Sequence, residues 1–266
     1  MEYTHGAIKD ISDDPWRLIK AYVFEVQRLI DKLVKSMEDF AVGHDDQVVH
    51  EIRTTLRRIE ASVDFLQPFA SKDHCIKAKD QIKGLIKRSN RFRDYQVELL
   101  YLKPYKRDYK EIYESAKRAF IEEKKRLKDY MADMHPQRYV HKIERCFAFL
   151  VKDFIYNYDR TAIDLQTAYR DEMMAVFSEL DKINDADDKA LHEIRLKVKA
   201  LRYKAELLEA LIGETLPETE KLKEFQDILG KYHDLNVLQK RLFQRFAPDK
   251  VSGLLDAIRN KYAGGI

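Results

Sequence analysis

The chain has 266 residues, of which 45% are hydrophobic, enough for a sizeable core in one large or two small domains and too many for a disordered polyelectrolyte. Its 49 Lys and Arg almost cancel 46 Asp and Glu, leaving a formal charge of +3, so net charge points to no partner and any basic character must be local. Cys75 and Cys146 stand apart, without CxxC or zinc-ligand spacing, which favours reduced, buried thiols in the cytoplasm over a disulfide framework.

The N-terminus, Met1 to Trp16, is polar and acidic, and no stretch approaches about 18 uncharged apolar residues, so neither secretion nor membrane spanning is expected. From there the apolar spacing is helical. Leu18, Ile19, Tyr22, Val23, Val26, Leu29, Ile30 and Leu33 recur at three- and four-residue intervals. Trp16 is expected to staple the start of that helix. In chain order the pattern predicts helices at 12–42, 44–67, 72–103, 105–133, 137–183 with an interruption near Asn157, 186–213, 217–246 and 249–262. Pro15, Pro68, Pro104, Pro136, Pro217 and Pro248 all fall where such segments begin or end, as the missing N–H of proline requires. No run alternates with period two, so the expected fold class is all-α.

The second and sixth of these helices carry nearly the same words. His50-Glu51-Ile52-Arg53, followed by Arg57 and Arg58, returns 142 residues later as His192-Glu193-Ile194-Arg195, followed by Lys197 and Lys199. The same offset carries Asp45-Asp46 onto Asp187-Asp188, and Pro104 and Pro248 lie 144 residues apart. This spacing reads as an internal duplication. It gives two helical bundles, 1–135 and 136–266, joined near His135-Pro136, since the unit is too long for a solenoid.

On a helical wheel Ile52, Leu56, Ile59, Val63 and Leu66 share a stripe that corresponds to Ile194, Val198, Leu201, Ala205 and Leu208. With each first histidine at zero, Arg53 and Arg57 lie near about 300° and 340°, and Arg195, Lys199 and Arg202 near about 300°, 340° and 280°, so a basic stripe flanks each core stripe. Cations so spaced form a row about 15 Å long, better matched to a string of phosphates than to one. The loops that cradle a nucleotide's phosphates, GxxxxGK[ST] and GxGxxG, are absent.

Between Lys77 and Arg93, seven basic residues face one acid, Asp80, and Lys79, Lys83 and Lys87 share a face; Lys223 is the counterpart of Lys83 in the second half. Taken alone, such a run reads as solvated surface, and the duplication of the preceding helix is what argues otherwise. His50 and His192 are placed either to bond a neighbour at the helix start or to bind phosphate, more so below an ordinary pKa of about 6.5. Neither has a second His, Cys or carboxylate at i+3 or i+4, so no metal site is expected.

These residues resemble the CHAD family, the conserved histidine α-helical domain. His50-x-x-Arg53-x-x-x-Arg57-Arg58 is similar to its first motif, and His192-x-x-Arg195-x-x-x-Lys199-x-Leu201-Arg202-Tyr203-x-x-Glu206 to its second. The family's downstream pattern is matched by Phe225-x-x-x-Leu229-Gly230-x-x-His233-Asp234-x-x-Val237, and more loosely by Leu85-x-x-x-Ser89-Asn90-x-x-Arg93-Asp94-x-x-Val97. The resemblance implies two four-helix bundles related by a pseudo-twofold, facing each other across a central basic channel that binds inorganic polyphosphate. The binding set it implies is His50, Arg53, Arg57, Arg58, Lys79, Lys83, Lys87, His192, Arg195, Lys199, Arg202 and Lys223, with Asp94, Asp234 and Tyr203 in support.

Two positions depart from the family pattern. Glu60 stands where a further arginine is common, opposite Arg202, and Asn90 stands where the second copy has Gly230. The first is expected to weaken the first half's grip or pair with a cation, and the second to alter the helix junction. Asp94 and Asp234 are expected to orient basic side chains; Tyr203 either reaches phosphate or packs between helices.

The expected activity is binding without catalysis, with no cofactor and no metal. Residence in the cytoplasm, including on polyphosphate granules, goes with it. Two alternatives remain. A polyphosphate or triphosphate hydrolase, or its accessory subunit, is one: CHAD domains often accompany a triphosphate-tunnel domain, but the acidic strand pattern similar to ExExK is missing here. An RNA- or DNA-binding helical protein is the other, but 15 Tyr and 13 Phe are not interleaved with the basic stripes and are expected in the core.

Overall fold

The computed structural model describes residues 14–43, 47–158, 165–182 and 188–262, and among them contains ten α-helices, one 3-10 turn and no strand. The helices are α1 (Pro15–Val42), α2 (Gln47–Leu66), α3 (Lys72–Arg88), α4 (Asn90–Leu102), α5 (Lys110–Met134), α6 (Pro136–Asn157), α7 (Leu165–Leu180), α8 (Asp188–Ile212), α9 (Pro217–Arg245) and α10 (Pro248–Tyr262). The interruption expected near Asn157 is the end of α6. The helix expected over 72–103 is two, α3 and α4, divided at Ser89. Asp45, Asp46 and Asp187 of the repeated acidic pair lie outside the described residues.

Local chemistry sets the ends. The Asp14 carboxylate accepts from the backbone N–H groups of Trp16 and Arg17 at 3.1 and 3.0 Å, and Pro15 takes the first helical position, where its missing N–H costs nothing. Trp16 corrects an expectation: it is 61% exposed and staples nothing, because the Asp14 cap and Pro15 already fix the entry to α1. Gly43 closes α1 at φ 93°, a left-handed conformation that glycine adopts without steric cost. His135 turns the chain from α5 to α6 at φ 54°, beside Pro136, which disfavours a right-handed helical residue before it.

The ten positions assigned to the two core stripes, from Ile52 to Leu66 and from Ile194 to Leu208, are at most 3% exposed. α2 and α8 pack on each other along these stripes, α1 lies against both, α3 and α6 cover α2, and α7 and α9 cover α8. The helices are pinned by buried polar bonds as well as by apolar area. Tyr22 of α1 donates to the Ser62 carbonyl of α2 at 2.9 Å, and Tyr139 of α6 donates to the Gln81 carbonyl of α3 at 3.1 Å. The larger buried cluster draws on α1, α2, α3, α6 and α8, with the end of α5 and the start of α9, and so continues across position 135. A second cluster gathers Tyr101, Leu102, Ile112, Leu238, Leu242, Val251 and Ile258 from α4, α5, α9 and α10. Cys75 is buried and Cys146 half-buried, both free thiols. No helix of the described residues is long and apolar enough to cross a membrane.

Candidate functional site

Because the basic stripes flank the core stripes, packing α2 on α8 brings the two rows of cations together. Lys199 feels this most: burial first, then Arg195, Arg57, Arg53 and Arg202, push its ammonium from an ordinary 10.5 down to about 7. Burial, then Arg57 and Arg93, lower Arg53 to about 10 against the pull of Asp94 and Tyr203, which still leaves it charged at neutral pH. Arg195 and Arg93 are also shifted down by burial, opposed by Asp234 in both cases and by Asp94 for Arg93. Two acids enter from α4 and α9. Burial raises both Asp94 and Asp234, while Arg241 and Arg53 hold Asp94 down and Arg195 and Arg93 hold Asp234 down.

One of the two helix-start histidines, His50, departs from the expected titration. His50 lies within reach of Arg93, Lys199 and Arg53, and burial together with these cations lowers its pKa, so the expected gain of charge just below about 6.5 is displaced to lower pH. The His192 ring lies 5.2 Å from that of His233, tilted by 32°, and the pKa of His233 falls to about 4 through burial, Arg195 and His192. Their neighbour Asp188 accepts from the Tyr232 hydroxyl and the Asn236 amide, each at 3.0 Å, so its carboxylate is already engaged. Among the described residues no group of three His, Cys, Asp or Glu is disposed to hold a metal ion.

The remaining expected residues are more dispersed. Arg57 pairs with Glu60 at 2.7 Å, and Lys83 approaches the same carboxylate at 3.7 Å, so Glu60 takes up cationic charge from both α2 and α3. Arg58 crosses to Glu206 of α8 at 2.8 Å, and Arg202 lies 3.5 Å from the other oxygen of that carboxylate. Lys79 pairs with Asp64 of α2, Lys87 is exposed on α3, and Lys223 is exposed beside Glu220 on α9. Tyr203 is buried, which favours the interhelix packing role over a phosphate contact. Arg53 also supports the local backbone, since one of its guanidinium nitrogens donates to the Ile86 carbonyl, the Ser89 hydroxyl and the Asn90 side chain at 2.8 to 2.9 Å. It thereby satisfies the end of α3, and the junction differs from the uninterrupted α9 around Gly230, as the Asn90 substitution suggested.

Sequence reasoning missed Arg93, His233 and a group formed by Glu98, Arg241 and Arg245. The first two had a signal, since each directly precedes a repeated aspartate, in Arg93-Asp94 and His233-Asp234. The third had none, because it joins the middle of α4 to the end of α9, 143 and 147 residues apart.

An all-helical protein whose two central helices pool their cations against too few acids is the class defined by this fold and site. A family model described as "CHAD domain" matches residues 26–242, and the chain belongs to that family. The crystal structure of the CHAD domain from the plant Ricinus communis is similar in fold, with a TM-score of 0.68 over 93% of this chain and 92% of that one, at 17% sequence identity. A comparison with curated proteins finds no match.

Proposed function

We propose that this protein binds inorganic polyphosphate at the cationic cluster between α2 and α8, without hydrolysing it, in the cytoplasm and on polyphosphate granules. In this reading α2 and α8 are copies of one duplicated unit, and their cations line a single channel between pseudo-twofold-related halves. The observation that carries it is the convergence of Arg53, Arg57, Arg195, Lys199 and Arg202 from two helices. Within that group, Arg195 Nε and Arg202 Nε are buried and have no acceptor. Buried donors without partners are costly, and phosphate oxygens supply both acceptors and charge.

The test is a calorimetric titration with orthophosphate, short and long polyphosphate, and single-stranded RNA across a salt series. Affinity rises with chain length and falls steeply with salt, since each phosphate neutralised releases counterions. Equal affinity for orthophosphate and long chains would sink the reading, and RNA outcompeting polyphosphate at physiological salt would replace it with nucleic-acid binding. Release of phosphate with Mg²⁺ or Mn²⁺, abolished by substitutions in this chain, would make the protein a hydrolase.

The same titration has a pH signature. Between about pH 7 and 10.5 an unfolded chain holds the Lys199 proton that the folded, ligand-free protein has released. This lysine therefore makes the free protein more stable as pH rises through that window and contributes no slope well below it. Bound phosphate favours the ammonium, so binding takes up a proton above pH 7. Affinity for long-chain polyphosphate, whose internal groups stay ionised, should be about tenfold lower at pH 8 than at pH 6. The groups facing the amine are Arg53, Arg57 and His50 on α2, Arg195 and Arg202 on its own helix, and His233 and Asp234 on α9. A pH-independent affinity would remove Lys199 from the contact set.

A further inference from the structure

Lys199 sits half-buried in the cationic cluster, and among the described residues its amine makes no hydrogen bond or ion pair. The cations of the facing row on α2 each have a carboxylate or a carbonyl: Arg53 the Ile86 carbonyl, Arg57 Glu60, and Arg58 Glu206. Around Lys199 stand four guanidinium groups, and the buried Nε atoms of Arg195 and Arg202 lack acceptors. An unpartnered amine beside fixed phosphate donors is the arrangement that makes a lysine a nucleophile, since nearby cations and burial favour its neutral form.

We infer that Lys199 is an acylation site for acyl phosphates, whose phosphate end the surrounding arginines hold while the amine attacks the adjacent carbonyl. The inference rests on the anion-binding reading of this cluster. In the step, the Lys199 nitrogen forms a C–N bond to the carbonyl carbon and the carbon–oxygen bond to phosphate breaks. The bonding pair leaves on the departing phosphate oxygen, and the proton released by the amine passes to that same oxygen. The products are an amide and hydrogen phosphate, with no oxidant or reductant. Acylation prevents Lys199 from taking up the proton that bound phosphate favours and adds bulk, so it reports metabolic acyl phosphate as lowered polyphosphate affinity.

The probe is acetyl phosphate, and the readout is the initial rate at each lysine by peptide mapping of the intact protein. The amine of Lys199, at about 7, is about half neutral at pH 7, and with the phosphate held beside it by the arginines it should be acetylated at least about tenfold faster than exposed lysines such as Lys87 or Lys231. Its rate should level off above about pH 8, whereas a lysine in a short reference peptide, with a pKa of about 10.4, keeps gaining rate to about pH 10. Selectivity for Lys199 should fall with a neutral N-hydroxysuccinimide ester, which has no phosphate for the arginines to hold. Rates at Lys199 no greater than at Lys87, or a profile still rising at pH 10, overturn the inference, and equal selectivity with the neutral ester overturns the phosphate-handle step. Saturating long-chain polyphosphate should protect Lys199 alone. Fast acetylation without protection upholds the inference and sinks the polyphosphate reading, while polyphosphate binding to a protein whose Lys199 is unreactive sinks the inference alone.

Discussion

Changing Arg57, Arg195, Lys199 and Arg202 together to alanine is expected to lower the affinity for long-chain polyphosphate by about a thousandfold or more. A hydrogen bond to a charged group contributes about 1.5–3 kcal/mol net, and a factor of ten in affinity is about 1.4 kcal/mol, so even with strong coupling four lost contacts exceed three decades. The free protein should be no less stable at neutral pH, and its melting temperature should stay level or rise. Burial and mutual repulsion hold Lys199 and Arg195 below their ordinary pKa values, so the cluster is a cost to the fold that Asp234 offsets in part and a bound anion relieves further. Arg53 is left intact because removing it would also uncap α3 at the Ile86 carbonyl and confuse a lost contact with a disturbed junction. A control lacking the exposed cations Lys20, Arg107, Lys142 and Lys250 changes the net charge equally. If that control loses as much affinity as the quadruple variant, attraction is diffuse and no local site exists.

What the sequence revealed and what it hid divide along physical lines. The core stripes of α2 and α8 were legible because burial imposes a period of about 3.6 residues, and Ile52, Leu56, Val198 and Leu201 are fully buried as that period requires. The adjoining cations were legible for the same reason, since residues on one helix face share a neighbourhood. Periodicity within one helix does not say which acid a cation meets across an interface. Lys79 is engaged by Asp64, Lys83 and Arg57 by Glu60, and Arg58 by Glu206, pairings set by how α2, α3 and α8 cross. Nor does a wheel carry solvation: the sequence gives no reason to move His50 from an ordinary imidazole pKa, and burial with three cations moves it down. The split of 72–103 at Ser89 was hidden because the apolar pattern runs on from Leu85 through Phe92, while the break depends on Arg53, a residue of another helix.

Glu98, which nothing in the sequence singled out, is expected to be the most costly single side chain to remove. Its carboxylate on α4 is 1% exposed and accepts from Arg241 Nε at 3.0 Å and from Arg245, both on the last turns of α9. Arg241 also stacks 3.8 Å over the Tyr95 ring and lies 3.6 Å from Asp94, so one carboxylate organises two guanidiniums, an aromatic face and a neighbouring acid. Beneath them lies the second apolar cluster, which α4 and α9 close with α5 and α10. Glu98→Ala leaves Arg245 without its carboxylate, beside an Arg241 that keeps Asp94 at 3.6 Å, in a poorly solvated seam, and the expected loss is about 3–5 kcal/mol by chemical denaturation. That is a large share of the roughly 5–15 kcal/mol that holds a typical domain folded. Glu98→Gln, which keeps an acceptor, should lose less. Replacing all three together, as Glu98→Leu, Arg241→Met and Arg245→Met, should recover much of the loss, because the cost lies in the unpaired charge and not in the absent contact. α4 also carries Arg93 and Asp94 into the cationic cluster, so a loosened α4 is expected to weaken the proposed polyphosphate binding at temperatures where the protein is still folded. A Glu98→Ala variant within about 0.5 kcal/mol of the parent would mean that α4 docks on α9 through the apolar cluster alone.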